Sequence, residues 1–143
     1  MPVEQPDPAR QESGEAVPGT VEFRQETPGL ASVDVGGEHD LSTVPALEEA
    51  LDQAASHAGA LVDLSECTFI DSSVIAVLLR AAQAAQERRG AFVLVIPPEQ
   101  ARVTRVAELT GLVELIEVRA SREAALLSIE RSLQVAAPDQ PRT

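Results

Sequence analysis

Apolar and polar residues change period along this chain, and the changes predict alternating strands and helices. The segment TVEFRQE alternates, with Val21 and Phe23 on one face, and residues 30–35 alternate again after a turn at Pro28 and Gly29. Two short strands joined by a turn are typical of a hairpin. We therefore expect a hairpin to open the domain.

The most informative stretch covers residues 60–89. Its apolar run 60–64, with one acid inside, is typical of a strand buried in a sheet, and we expect a turn at residues 65–66. Asp71, Ser72 and Ser73 are suited to cap the helix that follows, because their side-chain oxygens accept bonds from unpaired amides. A helix start carries positive potential, so a phosphate on Ser72 or Ser73 would suit that position.

The remaining periodic segments complete the alternation. They predict a helix capped by Ser42 or Thr43 and ending near Gly59, a strand over 91–96, a helix over 99–110 with Val103, Val106 and Leu109 inward and Gly111 as terminator, a strand over 112–118 and a helix capped by Ser121. Gly36 and Gly37 are expected to end the second strand. Such an alternation implies parallel strands joined by right-handed crossovers. The predicted fold class is α/β (mixed α+β), with about five strands, an antiparallel edge and about four helices.

The chain is expected to form one domain between two tails. Residues 1–19 contain four prolines and no periodicity, so we predict a disordered tail there, a domain over 20–135 and a short tail over 136–143. The first residues lack the apolar core of a signal peptide, and no apolar run approaches the roughly 20 residues of a membrane span. We expect a cytoplasmic protein without membrane insertion.

Composition excludes several classes of function. The net charge is −12 and aromatic residues make up 2% of the 143, which disfavours nucleic-acid binding, because phosphate backbones need cations and bases need stacking platforms. All eleven cations are Arg, so Walker A loops and Schiff-base chemistry are excluded. One cysteine, Cys67, forms no internal disulfide, and His39 and His57 are too few for a metal site. We expect no cofactor.

The charges are distributed unevenly. Ten acids and no Arg or Lys lie between Gln25 and Leu79, whereas eight of the eleven arginines lie between Arg80 and Arg131. If the loop 37–43 and the loop at Asp71 meet at one end of the sheet, they form an acidic face that would steer a basic partner. Adding a phosphate dianion would alter that contact.

Three groups of residues together carry a resemblance to a known family. Residues 37–43 read GEHDLST, residues 62–64 read VDL, and residues 69–73 read FIDSS. This combination resembles the STAS domain over roughly Thr20 to Leu133, and within it the bacterial anti-sigma-factor antagonists. The resemblance implies a sheet with helices on one side and a serine, by position Ser72, at the start of the second helix.

The resemblance also implies a function. A partner that is both anti-sigma factor and serine kinase, of the GHKL type, would bind the unphosphorylated protein, release its sigma factor, and end the binding by phosphorylating Ser72. The chain itself would not be an enzyme. The implied partner-binding residues are Gly37, Glu38, Asp40, Ser42, Asp71, Ser72, Ser73 and Val74.

Other readings of the same residues stay open. The family usually has glycines where this chain has Val74 and Ala76, and a leucine at His39. Val74 and Ala76 lend some weight to a constitutive docking subunit, such as the STAS-like component of a lipid-transport ATPase complex or of a stress-sensing assembly. Ser72 and Ser73 could also be helix caps alone. A serine hydrolase is the weakest reading, because the GxSxG elbow is missing.

Overall fold

The computed structural model describes residues 17–136. The predicted disorder of residues 1–16 and the predicted tail beyond 136 therefore lie outside the described residues. Val17–Gly19 are irregular in backbone but run beside the second strand, where the Val17 carbonyl accepts the Glu38 N–H at 2.9 Å. The boundary of the domain stays a prediction.

A five-stranded sheet forms the centre of the fold. The strands, in spatial as well as chain order, are β1 (Thr20–Thr27), β2 (Leu30–His39), β3 (Gly59–Ile70), β4 (Ala91–Val95) and β5 (Glu117–Arg119). β1 pairs with β2 in antiparallel fashion, and every other pair is parallel. The predicted hairpin, the mostly parallel sheet and its antiparallel edge are confirmed.

Helices connect the parallel strands. A 3₁₀ turn (Leu41–Thr43) leads into α1 (Val44–Ala54), followed by α2 (Ser72–Glu87), α3 (Ala101–Leu109), the single turn α4 (Leu112–Leu115) and α5 (Arg122–Ala136). Ser121 caps α5 as predicted, since its Oγ accepts the N–H of Ala124 at 3.1 Å.

Helices cover both faces of the sheet, so the implied placement on one side only is wrong. Val62 and Leu94 belong to the larger core, with residues of α1, α2 and α3. Leu61 and Val93, their neighbours in sequence, point the opposite way and pack against Ile129 of α5. The second face is apolar at the middle strands because consecutive residues of β3 and β4 are apolar, as in a strand buried on both sides.

The inner strands are longer than the sequence pattern predicted. The turn expected at residues 65–66 is absent, because β3 continues beside β2 and Glu66 pairs with Gly36. β2 likewise does not end at its glycines but continues to His39, which pairs with Ile70. Register shifts in this part of the ladder absorb the irregular polar pattern that resembled a turn.

The predicted strand over 112–118 is also wrong in its first half. Gly111 ends α3 in the left-handed conformation as predicted, with φ 79°, but Leu112 then begins α4 and the strand is confined to β5. Leu112 and Ile116 are buried four residues apart, a spacing that fits a helical turn, and a short apolar run cannot distinguish the two structures. Leu109, predicted to face inward, is 73% exposed.

Candidate functional site

Two neighbouring strands end side by side, and each is followed by an aspartate. His39 of β2 and Ile70 of β3 are partners in the parallel ladder, so Asp40 and Asp71 leave the sheet at the same level. Each aspartate begins a helical segment, Asp40 the 3₁₀ turn and Asp71 helix α2. The loop 37–43 and the loop at Asp71 therefore lie together at one end of the sheet.

Asp71 caps α2 and orients the serines after it. Its Oδ1 accepts the N–H groups of Ser73 at 3.0 Å and Val74 at 3.3 Å, and the Ser73 hydroxyl at 2.6 Å. The predicted capping role of Asp71 is confirmed, whereas the Ser73 hydroxyl is already used in the cap. Ser72 is different: it is the first residue of α2, it is exposed, and its hydroxyl has no hydrogen-bond partner within residues 17–136.

Asp40 caps the 3₁₀ turn in the same way. Its Oδ1 accepts the N–H of Ser42 at 2.9 Å and the Ser42 hydroxyl at 2.6 Å, while the Asp40 N–H donates to Thr43 Oγ1 at 3.2 Å. The hydroxyl of Ser42, and after it the Ser42 N–H, lowers the pKa of the Asp40 carboxyl. Asp40 thus caps the 3₁₀ turn, whereas Thr43 occupies the N-cap position of α1 without a side-chain hydrogen bond to its amides, so the predicted capping of that helix by a Ser42 or Thr43 hydroxyl is wrong. The Asp40 carboxylate accepts an amide of the first turn that has no partner within the turn.

His39 fastens the end of β2 to this turn. Its ring is buried, with Nδ1 2.9 Å from Thr43 Oγ1 and Nε2 2.8 Å from the Gly36 carbonyl oxygen. A buried ring with both nitrogens engaged restricts the loop that it anchors. The sequence pattern placed His39 in a polar loop, whereas the structure places it under that loop as a support.

Two of the predicted partner-binding residues are buried. Gly37 has φ 76°, and a Cβ there would come within 2.1 Å of the Pro18 carbonyl oxygen, so this glycine is required by the chain that crosses it. The Val74 side chain is fully buried in the larger core. The side chains available to a partner are therefore those of Asp40, Ser42 and Ser72, which are exposed, and those of Glu38, Asp71 and Ser73, which are partly exposed.

Three of the ten acids between residues 25 and 79 pair with one arginine and so do not add to the acidic face at the two caps. Arg122 binds three of the ten acids from the start of α5, with contacts to Glu26 at 2.6 Å, Asp63 at 2.9 Å and Asp34 at 3.2 Å. Asp34 and Asp63 lie on the face of the sheet that α5 covers, because they alternate with residues of the larger core. Near the two caps the acids are Glu38, Asp40 and Asp71. The charge near the two caps is therefore negative, and it comes from these three carboxylates rather than from all ten acids.

The sequence pattern did not single out Leu41, and it gave no contact for Phe69 beyond its place before Asp71. Leu41 stands between the capping Asp40 and Ser42 and is 70% exposed. Phe69 pairs with Glu38 in the ladder, and the guanidinium of Arg102 lies 5.3 Å from its ring centroid, within the range of a cation–π contact. A single exposed apolar residue has no periodicity, so only the cap flanking Leu41 could have identified it. We call Glu38, Asp40, Leu41, Ser42 and Ser72 together the cap surface.

The cap surface presents a hydroxyl but lacks the parts of a nucleophile site. Within residues 17–136 neither histidine contacts Ser72, since His39 binds Thr43 and Gly36 while His57 contacts Ser56 and Gln25. The described residues contain no group of three metal-ligating side chains and no helix able to cross a membrane. Cys67 is buried, and burial raises the pKa of its thiol to about 11, which leaves little thiolate near neutral pH.

Comparison with known proteins supplies relatives for this site. The chain is 28% identical over 102 residues to the anti-sigma-B factor antagonists of Listeria monocytogenes and Listeria innocua, which covers 70% of this chain and 88% of each relative. A crystal structure of an anti-sigma factor antagonist from Mycobacterium paratuberculosis superposes with a TM-score of 0.66 at 26% identity, over 79% of this chain and 95% of the other.

The fold is shared still more widely. The unphosphorylated form of the anti-sigma factor antagonist SpoIIAA has the same TM-score of 0.66 at 18% identity, over 78% of this chain and 96% of the other, a likeness of fold alone. The family model described as "Mlab, STAS domain" matches residues 23–117, which include both caps and all five strands in whole or in part. The chain belongs to the STAS domain family.

Proposed function

We propose that this protein is an anti-sigma-factor antagonist whose switch is Ser72. In the unphosphorylated state the cap surface binds a GHKL-type serine kinase that is also an anti-sigma factor, and the sigma factor is released. Phosphorylation of Ser72 ends the binding. The single observation that carries the proposal is the exposed Ser72 hydroxyl at the first residue of α2, beside the Asp40 cap.

The names of the relatives support this role. The curated proteins that match most of the chain are anti-sigma-B factor antagonists, and the structure from Mycobacterium paratuberculosis bears the same kind of name. None of these names describes an enzyme. A regulator of sigma factors acts where transcription takes place, so the proposed role assigns the protein to the cytoplasm.

The local geometry favours transfer to Ser72 over transfer to Ser73. The kinase would move the γ-phosphoryl group of ATP to the Ser72 Oγ: the new P–O bond forms, the bond to the ADP oxygen breaks, and the hydroxyl proton passes to a base of the kinase. The Ser73 hydroxyl donates to Asp71 at 2.6 Å and is partly buried. Phosphorylation there would break the cap of α2.

The charge of the product explains how the switch would work. A phosphoserine adds about two negative charges beside Glu38, Asp40 and Asp71, where the Ser72 hydroxyl had none. The start of α2 stabilises that charge, so the modified state remains folded. A partner surface shaped for a neutral hydroxyl would meet added bulk and a dianion.

Two substitutions at the same position test the proposal. We expect Ser72→Ala to bind one member of a panel of purified GHKL-type kinases from the same genome, and Ser72→Asp to bind it about tenfold or more weakly, because the carboxylate imitates part of the phosphate charge. Ser73→Asp is the matched control, because it places the same charge at the adjacent residue. Circular dichroism of this variant reports whether α2 remains helical. Equal affinities of Ser72→Ala and Ser72→Asp would contradict the switch.

A second candidate keeps the fold without the phosphate. The family model that matches residues 23–117 describes a STAS domain and mentions no phosphorylation, so a constitutive docking subunit, such as that of a lipid-transport ATPase complex, is the alternative to the switch. The buried position of Val74 removes one reason for this reading, because its side chain does not fill the space in front of Ser72. Incubation with ATP and each kinase, followed by intact mass, separates the two: an added phosphoryl group on Ser72 favours the switch, and none favours constitutive docking.

A further inference from the structure

The two caps share the same aspartate–serine hydrogen bonds, although Asp40 begins a 3₁₀ turn with a reciprocal capping box and Asp71 begins an α-helix without one. Asp40, Leu41 and Ser42 repeat the arrangement of residues 71–73, since each aspartate accepts the N–H two residues later, at 2.9 and 3.0 Å, and the hydroxyl of the same serine, at 2.6 Å in both. The ladder that pairs His39 with Ile70 places the two caps at one level. Leu41 is therefore the counterpart of Ser72.

The position of Leu41 is unusual for a large apolar side chain. It is 70% exposed, whereas the residues around it on the cap surface are polar or charged. A solitary exposed leucine is ordinary on a protein surface. This one, however, lies next to the proposed switch on a turn closed by a reciprocal capping box and supported by the buried His39. The backbone that presents it is already ordered before any partner arrives.

We propose that Leu41 is the apolar anchor of the cap surface and enters a small apolar pocket on the anti-sigma-factor kinase. The inference rests on the proposed function and names the contact through which binding and switching are joined. The pocket would be bordered by basic side chains, because Glu38 and Asp40 flank the leucine. Interfaces commonly concentrate their binding energy in a few well-packed side chains surrounded by polar contacts that exclude water; leucine is rarer in this role than Trp, Tyr or Arg, and here it is the exposed large apolar residue of the cap surface.

The neighbouring phosphate would act on this anchor directly. Burying Leu41 requires that water leave the space around both caps. A dianion on Ser72, one strand away, holds its hydration shell tightly and loses it only at a large cost unless a cation replaces the water. Phosphorylation would then weaken binding in two ways: the hydration shell of the phosphate would prevent the desolvation of Leu41, and the added charge would repel acidic groups of the partner. The two residues should therefore be energetically coupled.

Leucine variants of the full chain test the anchor. We expect Leu41→Ala to lower the affinity for the kinase that binds the wild-type protein by about tenfold or more, and Leu41→Met, which restores an apolar side chain of similar volume, to recover most of it. Leu127→Ala is the matched control, since Leu127 is 51% exposed but lies on α5, across the sheet. Thermal melting of each variant reports whether the fold is intact.

A double-mutant cycle tests the coupling. If the carboxylate of Ser72→Asp already prevents burial of Leu41, adding Leu41→Ala to Ser72→Asp should cost less than threefold, against the tenfold or more in the wild-type background.

The possible results separate the inference from the proposed function. Full affinity of Leu41→Ala, together with weak binding of Ser72→Asp, would overturn the anchor and leave the switch standing. Additive losses would overturn the coupling alone. A wild-type protein that binds no kinase of the panel would contradict the proposed function, and the anchor with it.

Discussion

At the scale of single residues, the cap surface depends on residues that are themselves buried. Gly37 is buried at φ 76° beneath the Pro18 carbonyl, and His39 bridges Gly36 and Thr43 from below. Both hold the end of β2 at the level where Asp40 can cap the following turn. Residues that sequence reasoning assigned to recognition thus include one, Gly37, whose function is to let the backbone pass.

The requirement for glycine at position 37 can be measured. We expect Gly37→Ala to lower the free energy of unfolding by about 2 kcal/mol or more, because a Cβ is strained at positive φ and would collide with the Pro18 carbonyl oxygen. Gly29→Ala is the control, since no atom lies within 4 Å of the position its Cβ would take. Urea denaturation measures both, and equal stabilities of the two variants would show that the crossing by Val17–Gly19 is not a real constraint.

The position of Ser72 was predictable, and that of Leu41 was not. An aspartate followed by two serines before an apolar helical stripe is a sequence signature of a helix start, and α2 begins at Ser72. Whether a single apolar residue is exposed cannot be read from the sequence, because one residue does not change the hydrophobic periodicity. The pairing of Arg122 with three of the ten acids also escaped the sequence, because it joins residues far apart in the chain.

At the scale of elements, sequence patterns located the strands and helices but not all of their ends. β2 and β3 run past glycine and polar residues because each has a neighbour that continues the ladder. A local pattern carries no information about that neighbour. The extension is needed for the proposed binding surface, since it brings His39 opposite Ile70 and so places the two caps side by side.

The contact between Arg122, at the start of α5, and Glu26 of β1 should make the stability of the fold depend on pH. The hydroxyl of Ser32, and after it Arg122 and Arg24, lowers the pKa of Glu26. A carboxyl whose pKa is lower in the folded state contributes stability above its unfolded pKa, and that contribution is lost as the pH falls through the folded value. We therefore expect the wild-type protein to lose stability on acidification across the lower end of the carboxyl range.

Removing the arginine should reduce both the stability and its dependence on acid. We expect Arg122→Met to lower the free energy of unfolding by about 1 kcal/mol at neutral pH, a modest value because the cluster is partly exposed. The free energy of unfolding of this variant should also fall less steeply than that of the wild-type protein as the pH is lowered. Arg80→Met, which removes the exposed pair with Glu48, is the control and should stay within about 0.5 kcal/mol. If the stability of Arg122→Met fell as steeply on acidification as that of the wild-type protein, the role of Arg122 in lowering the pKa of Glu26 would be contradicted.

At the scale of the whole molecule, the fold places the proposed binding surface at one end of the sheet, apart from its two packed faces. α1, α2 and α3 cover one face, α5 covers the other at the middle strands, and the two caps stand at the end where β2 and β3 stop. Strand and helix alternation predicted this architecture, and the family shares it. The resemblance did not predict that α5 packs on the opposite face of the sheet from the other helices. The continuous apolar runs of β3 and β4, however, already indicated strands buried on both faces.

The account as a whole predicts that one covalent change at one end of the sheet controls binding. The most direct measurement compares the wild-type protein before and after stoichiometric phosphorylation by the GHKL-type kinase that it binds, with the site assigned by peptide mass and the affinity measured by calorimetry. We expect the phosphate on Ser72 and an affinity at least about tenfold lower. A phosphoprotein that binds as tightly as the unmodified one would contradict the claim.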